Sequence, residues 1–228
     1  MANPYDVVRQ FESALCEYTG AEYAVTTTSC TSALLLAVAW YLRQDAPEPA
    51  RTNLLGSADR PYIEIPKRTY VSVPMSIIHA GGRPTFRDED WRGAYQLKPL
   101  PVWDCARRFT SGMYGWTPQP DGTLIRKRGQ FQCVSFHHTK ILGLAAHGGA
   151  ILHDNVEADA WLRRARFDGR TEGVAPKEDS FDVLGFHAYM TPPTAAEGLL
   201  RLSALPDHNA DLPNDDYPDL STLPIFAA

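Results

Sequence analysis

The sequence predicts an α/β fold: a three-layer α/β/α unit on a mainly parallel sheet over residues 1–203, followed by an acidic, proline-rich tail over 204–228, extended or disordered. Two observations carry this. Short apolar runs at 22–27, 62–65, 84–86, 101–103 and 133–136 are interleaved with segments of helical character at 4–19, 32–42, 71–78 and 155–165. In addition, Ser29, Tyr70, Asp104 and Ser135 all fall at or just after the ends of predicted strands, the edge at which open sheets of this class place ligands.

In chain order, the first helix buries Val7, Val8, Phe11, Ala14, Leu15 and Tyr18 and stops at Gly20. The strand at 22–27 delivers hydroxyl residues to a helix, 32–42, that is apolar nearly all round and hence buried. Such a helix start can hold an anion on its free N–H groups, with Ser29 and Thr31 as further donors, although Ser and Thr are also ordinary caps. Residues 43–59 are polar and read as a surface excursion. The strand at 62–65 closes on Pro66, and the next helix tolerates Pro74 in its first turn and ends at Gly81 and Gly82. Asp104 ends an apolar strand, so its carboxylate needs a cationic or N–H partner, or caps the helix after it. Residues 115–129 read as a hairpin-like excursion.

Residues 131–154 form the centre of the reading. A strand with Cys133, Val134 and Phe136 leads to a polar turn ending in Lys140, then a small-residue loop to Gly148 and Gly149, then an apolar strand at 150–152. Partial burial of Lys140 would disfavour its ammonium form and make the amine a nucleophile towards a carbonyl; the alternative is an amine in water at a loop mouth. An amphipathic helix follows at 155–165, a polar loop at 169–182, and a helix at 192–202 with Pro192 and Pro193 in its first turn. Beyond Leu205 no periodicity remains.

Composition narrows the class. With 44% hydrophobic and 21% charged residues among 228, the chain is expected to be a soluble globular protein. No apolar run approaches the ~20 residues of a membrane span, and the polar first ten residues are unlike a signal peptide, so no membrane and a cytoplasmic location are expected. Cys16, Cys30, Cys105 and Cys133 lack CxxC spacing and read as reduced thiols. A net charge of −5 argues against a general nucleic-acid surface. The basic clusters at 107–108, 126–128 and 163–170 read as solvated faces. His137, His138 and His147 are close in sequence, but without a spaced carboxylate or cysteine no metal site is expected.

Taken together, the ordered motifs from Phe11 to Leu202 resemble the DegT/DnrJ/StrS family of pyridoxal-phosphate-dependent aminotransferases. The residues carrying this are Phe11-Glu12, Ser29-Cys30-Thr31-Ser32-Ala33-Leu34, 66–70, 82–88, Asp104-Cys105-Ala106, Ser135-Phe136 with Lys140, Gly148-Gly149 and 185–202. The resemblance implies the large domain of a type I aminotransferase with pyridoxal 5'-phosphate as cofactor. It makes Lys140 the lysine that joins the cofactor aldehyde and later carries the proton, and Asp104 the partner of the pyridine nitrogen. Tyr70 would stack on the ring, while Cys30, Thr31 and Ser135 would contact the phosphate. Arg107, where the family usually has Gln, would lie near the phenolic oxygen.

Several positions depart from the family pattern. Cys30 replaces the glycine of SGT, and Ala146-His147-Gly148-Gly149 replaces a Gly-acid-Gly-Gly run. The Gly-x-Asn-x-Arg-Met segment reads Gly185-Phe186-His187-Ala188-Tyr189-Met190. His187 is expected to serve the cofactor phosphate of a neighbouring subunit, and His137, His147 and Tyr189 the substrate. Family members continue into a small C-terminal domain that covers the site, so this chain reads as a form lacking it, in which a homodimer or a second chain supplies the cover. The expected reaction moves an amino group from a donor such as glutamate to a keto group on a nucleotide-linked sugar. Two alternatives stand beside it: decarboxylation or other carbanion chemistry on an amino-acid-like group, even one attached to a nucleotide or DNA base, and a non-catalytic remnant used for binding.

Overall fold

The computed structural model describes residues 3–44, 60–118, 123–214 and 217–226. Of the excursion expected at 43–59, residues 43 and 44 end the second helix and 45–59 lie outside the described residues, as does the hairpin tip at 119–122. The first half contains α1 (Asp6–Thr19), β1 (Tyr23–Thr27), α2 (Cys30–Gln44), β2 (Tyr62–Pro66), α3 (Ser72–His79), β3 (Arg83–Arg87), β4 (Tyr95–Leu97) and β5 (Val102–Asp104). The second contains β6 (Trp116–Pro118), β7 (Leu124–Arg126), β8 (Phe131–Ser135), β9 (Gly149–His153), α4 (Val156–Ala165) and α5 (Pro192–Ser203).

The α/β class stands, with one correction: the sheet is mixed rather than mainly parallel. Its order is β1-β9-β8-β5-β4, and an antiparallel bridge between Glu64 and Lys98 joins it to the β2-β3 pair. The β5–β8 and β2–β3 pairs are parallel, whereas β1–β9, β8–β9 and β4–β5 are antiparallel. The reason is the connection at 136–148, a compact loop without a helix, and a parallel return needs a crossover, usually helical. The chain therefore turns straight back, and β9 inserts between β8 and β1.

Both faces of this sheet are covered, because successive strand side chains point to opposite sides. Val25, Phe131, Cys133 and Ile151 pack with Ala33, Ala37, Ile77 and Leu162 from α2, α3 and α4. Their neighbours Ala24, Val134, Ala150 and Leu152 pack with Phe11, Leu15, Ala195 and Leu202 from α1 and α5. α1 ends where Gly20 takes up a left-handed φ of 79° and donates its N–H to the Cys16 carbonyl.

One contact fixes the floor of the site. A Cβ on Gly149 would lie 2.5 Å from the Cys30 nitrogen and the Ser29 carbonyl carbon, so β9 starts directly against the first residues of α2. Those are backbone atoms and cannot swing aside. Gly149→Ala is expected to destabilise the fold by about 1–3 kcal/mol, the usual cost of overpacking. A urea unfolding curve with a lowered midpoint checks it; an unchanged midpoint would mean that the strand is free to retreat.

After α5 the chain stays on the body. Asp211 pairs with the buried Arg108 at 2.8 Å, and Lys67 lies 3.4 Å from Asp219. Leu220 is fully buried and donates its N–H to the Lys67 carbonyl at 2.9 Å, and Phe226 packs against Phe86 with ring centres 6.0 Å apart.

Candidate active site

The carboxyl ends of β1, β2, β5 and β8 converge on a cavity of about 490 Å³. Ser29, Tyr70, Asp104 and Ser135, each at or just past one of those ends, all line it. Of the eleven residues assigned to the site from the sequence, nine do so: Cys30, Thr31, Tyr70, Asp104, Arg107, Ser135, His137, Lys140 and His147. His187 and Tyr189 do not. His187 is exposed and sits 3.0 Å from Asp168, while Tyr189 packs edge-on against Tyr5 and against Phe167.

Asp104 is the one acid lining the cavity among the described residues, and it is 4% exposed. It accepts hydrogen bonds from the Ala106 N–H at 2.9 Å and the Tyr95 hydroxyl at 2.8 Å, and that hydroxyl also lies 2.6 Å from Thr69 Oγ1. Burial pushes the Asp104 carboxyl up, while these two donors, Lys140 and Arg107 pull it back. The net direction is upward, so the carboxylate lacks enough positive charge around it and would gain from a cation at its open side.

Lys140 is half-buried. Burial first, then the Arg107 guanidinium, holds its amine below the ordinary 10.5, against the opposing pull of Asp104. More of it is therefore neutral near pH 7 than of an exposed lysine. Arg107 is placed beside the tail, with Nη2 3.4 Å from the Tyr217 hydroxyl and its charge 5.8 Å from the ring centre. Burial lowers His137 below 6.5, helped by His138, His147 and Lys140.

At the other end lies the start of α2. Ser29 Oγ caps the Ser32 N–H at 3.1 Å, and the first intrahelical bond runs from Ala33 N–H to the Ser29 carbonyl. The N–H groups of Cys30 and Thr31 have no intrahelical carbonyl to reach, and both residues line the cavity. The Cys30 thiol is pushed well up by burial and stays neutral, so this residue offers its backbone rather than a charge. Ser135 Oγ accepts from the His137 N–H at 3.3 Å, leaving its own proton to donate inward.

This donor set has three parts: an anion cradle on α2, an amine of lowered basicity, and a buried carboxylate short of a cation. Pyridoxal 5'-phosphate carries a phosphate, an aldehyde and a protonatable ring nitrogen, so the residues fit it. Tyr70 presents a large exposed ring beside them. Two contributors were not foreseen. Tyr95 comes from β4, a three-residue strand with no sequence signal, and Tyr217 from the stretch read as tail.

The sequence matches the DegT/DnrJ/EryC1/StrS aminotransferase family over residues 1–110 and 100–212. A GDP-perosamine synthase from Caulobacter vibrioides is 24% identical over 232 residues, covering 88% of this chain and 57% of that protein. The sugar aminotransferase CalS13 from Micromonospora echinospora superposes with a TM-score of 0.65 at 18% identity, over 87% of this chain and 60% of the other. NtdA from Bacillus subtilis, solved with bound cofactor PMP, gives 0.60 at 18% identity over 87% and 48%. This chain thus spans about half to three-fifths of the length of these relatives, and what it shares with the solved structures is the fold. It belongs to the DegT/DnrJ/EryC1/StrS aminotransferase family.

Proposed function

We propose that this chain carries the cofactor-binding half of a pyridoxal-phosphate-dependent aminotransferase that passes an amino group from an amino acid such as glutamate to a keto group on a nucleotide-linked sugar. The observation that carries the reading is that the Lys140 amine and the buried Asp104 carboxylate line one cavity with the open start of α2. When bound, the cofactor supplies an aldehyde carbon and an electron-accepting ring.

The protein's own residues do the rest. Asp104 Oδ2 and Oδ1, held in place by Tyr95 and the Ala106 N–H, keep a proton on the ring nitrogen. Lys140 Nζ, partly neutral, would take the proton from the donor's α-carbon and deliver it across a 1,3 relation to the carbon that the cofactor aldehyde supplies. Arg107 offers donors to an ionised phenolic oxygen. The N–H groups of Cys30 and Thr31 with the Ser135 hydroxyl hold the phosphate. His137 and His147 stand on the substrate side. On their family positions, His187 would serve the cofactor phosphate of a second copy in a homodimer and Tyr189 the substrate; both lie outside their own cavity. A sugar acceptor is supported by the similarity to CalS13, a sugar aminotransferase, and to a GDP-perosamine synthase.

The test is product analysis with glutamate as donor and a nucleotide-linked keto-sugar as acceptor. Equal amounts of 2-oxoglutarate and amino-sugar support the reading. Release of carbon dioxide with no acceptor present contradicts it. Asp104→Asn is expected to lower kcat/KM by about 10²–10⁴-fold, because a neutral amide no longer holds the ring proton. Its cofactor absorbance should remain, since the α2 cradle and Lys140 are untouched; an unchanged kcat/KM would remove Asp104 from the mechanism.

A further inference from the structure

The loop from β8 to β9 carries three histidines, and folding brings them together. It is closed by hydrogen bonds from Phe136 N–H to the Gly148 carbonyl (2.9 Å) and from Leu144 N–H to the Phe136 carbonyl (2.7 Å), with Leu142 and Leu144 buried beneath it. One ring nitrogen each from His137, His138 and His147 lies within 4.8 Å of the other two. His137 and His147 stack in parallel with centres 4.6 Å apart, and His138 lies 4.1 Å from His137. His147 adopts a left-handed φ of 62°, uncommon for a residue with a side chain and found more often at functional sites than elsewhere.

We propose that His137, His138 and His147 form a three-imidazole site for a divalent transition cation at the cavity wall. The Nδ1 of His137 is held by Thr139, 2.9 Å from its Oγ1 and 3.4 Å from its backbone N–H, contacts that fix the orientation of the ring. A shared ion at about 2.0–2.1 Å needs nitrogens roughly 3.4 Å apart in tetrahedral geometry. His138 and His147 are exposed, so a side-chain rotation of each can close the gap. All-imidazole ligation suits Zn²⁺, Co²⁺, Ni²⁺ or Cu²⁺ and not Mg²⁺ or Ca²⁺. His137 and His147 line the cavity, so the remaining coordination position is open to water or to an oxygen of a cavity ligand. No carboxylate or cysteine is spaced to join His137 and His138; the third ligand is His147, from the far side of the loop.

The experiment titrates Zn²⁺ into tag-free, chelator-treated protein by calorimetry and repeats it with Co²⁺ read by its visible spectrum. One equivalent is expected to bind, and Co²⁺ should show tetrahedral d–d bands without thiolate charge transfer. His138→Ala and His147→Asn, the latter chosen because Asn tolerates the left-handed backbone, should each weaken binding by at least about tenfold, the loss that even an outer partner brings. His187→Ala, outside this cluster, should bind as the parent does. No stoichiometric binding by the parent, or equal affinity in all three variants, would overturn the site. Neither readout involves the cofactor, so this result is independent of the aminotransferase reading.

Discussion

Replacing Lys140 by alanine is expected to abolish amino-group transfer, lowering kcat/KM by about 10⁴-fold or more, the upper end of what a positioned acid–base group supplies alone. The loss exceeds that of Asp104→Asn because Lys140 is assigned two tasks, joining the aldehyde carbon and moving the proton, and no other amine lines the cavity among the described residues. Its lowered basicity adds a pH signature. The neutral amine increases as pH rises towards a value below 10.5, so activity should climb with pH on the limb governed by this group. Parallel assays of parent and Lys140→Ala across pH check both points; residual activity within tenfold of the parent would assign the chemistry elsewhere.

Glu12→Gln is expected to cost about 3–5 kcal/mol of stability, the penalty for leaving one member of a buried ion pair without its partner. Glu12 is 4% exposed and accepts from the Thr26 N–H at 2.9 Å, Thr26 Oγ1 at 2.8 Å, Arg163 Nη1 at 2.6 Å, and the buried Arg166. It ties α1, β1 and α4 into one unit, and an amide would leave the Arg166 charge uncompensated. Against a typical total of about 5–15 kcal/mol this is a large fraction. Burial alone would raise the Glu12 carboxyl above 4.5, but Arg166 and Arg163 outweigh it and hold it lower. As pH falls the unfolded chain takes up this proton first. The contribution is therefore complete above about 4.5 and is lost as pH drops through the lower folded value. Urea midpoints of parent and variant should differ widely at pH 7 and converge in acid; a constant gap would show that the charge is not what the pair contributes.

The site was more legible in the sequence than the sheet. Hydroxyl residues before an all-apolar helix, an acid at a strand end and a lysine between two apolar strands are local patterns, and local patterns survive folding. Strand direction is not local: β9 follows β8 after a helix-free loop, and only that loop's length and composition hint at the reversal. β4 escaped notice because Tyr95, Gln96 and Leu97 are too few to show an alternation, and with it went the hydroxyl that holds Asp104. Tyr217 was missed because an acidic, proline-rich stretch shows no periodicity even when, as here, single residues such as Asp211 and Leu220 anchor it. The basic run at 163–170 looked like a solvated face, yet Arg166 points inward to Glu12, a pairing across 154 positions that no spacing rule reveals. His187 and Tyr189 owe their roles to family position alone, because no local pattern in 185–190 marks a side chain that serves a neighbouring subunit's cavity.

The most direct test incubates the protein with pyridoxal 5'-phosphate, reduces it with borohydride and digests it for mass spectrometry. A single phosphopyridoxyl group on the peptide containing Lys140, absent from Lys140→Ala, is the predicted result. Label scattered over exposed lysines such as Lys177, or none at all, would contradict the account.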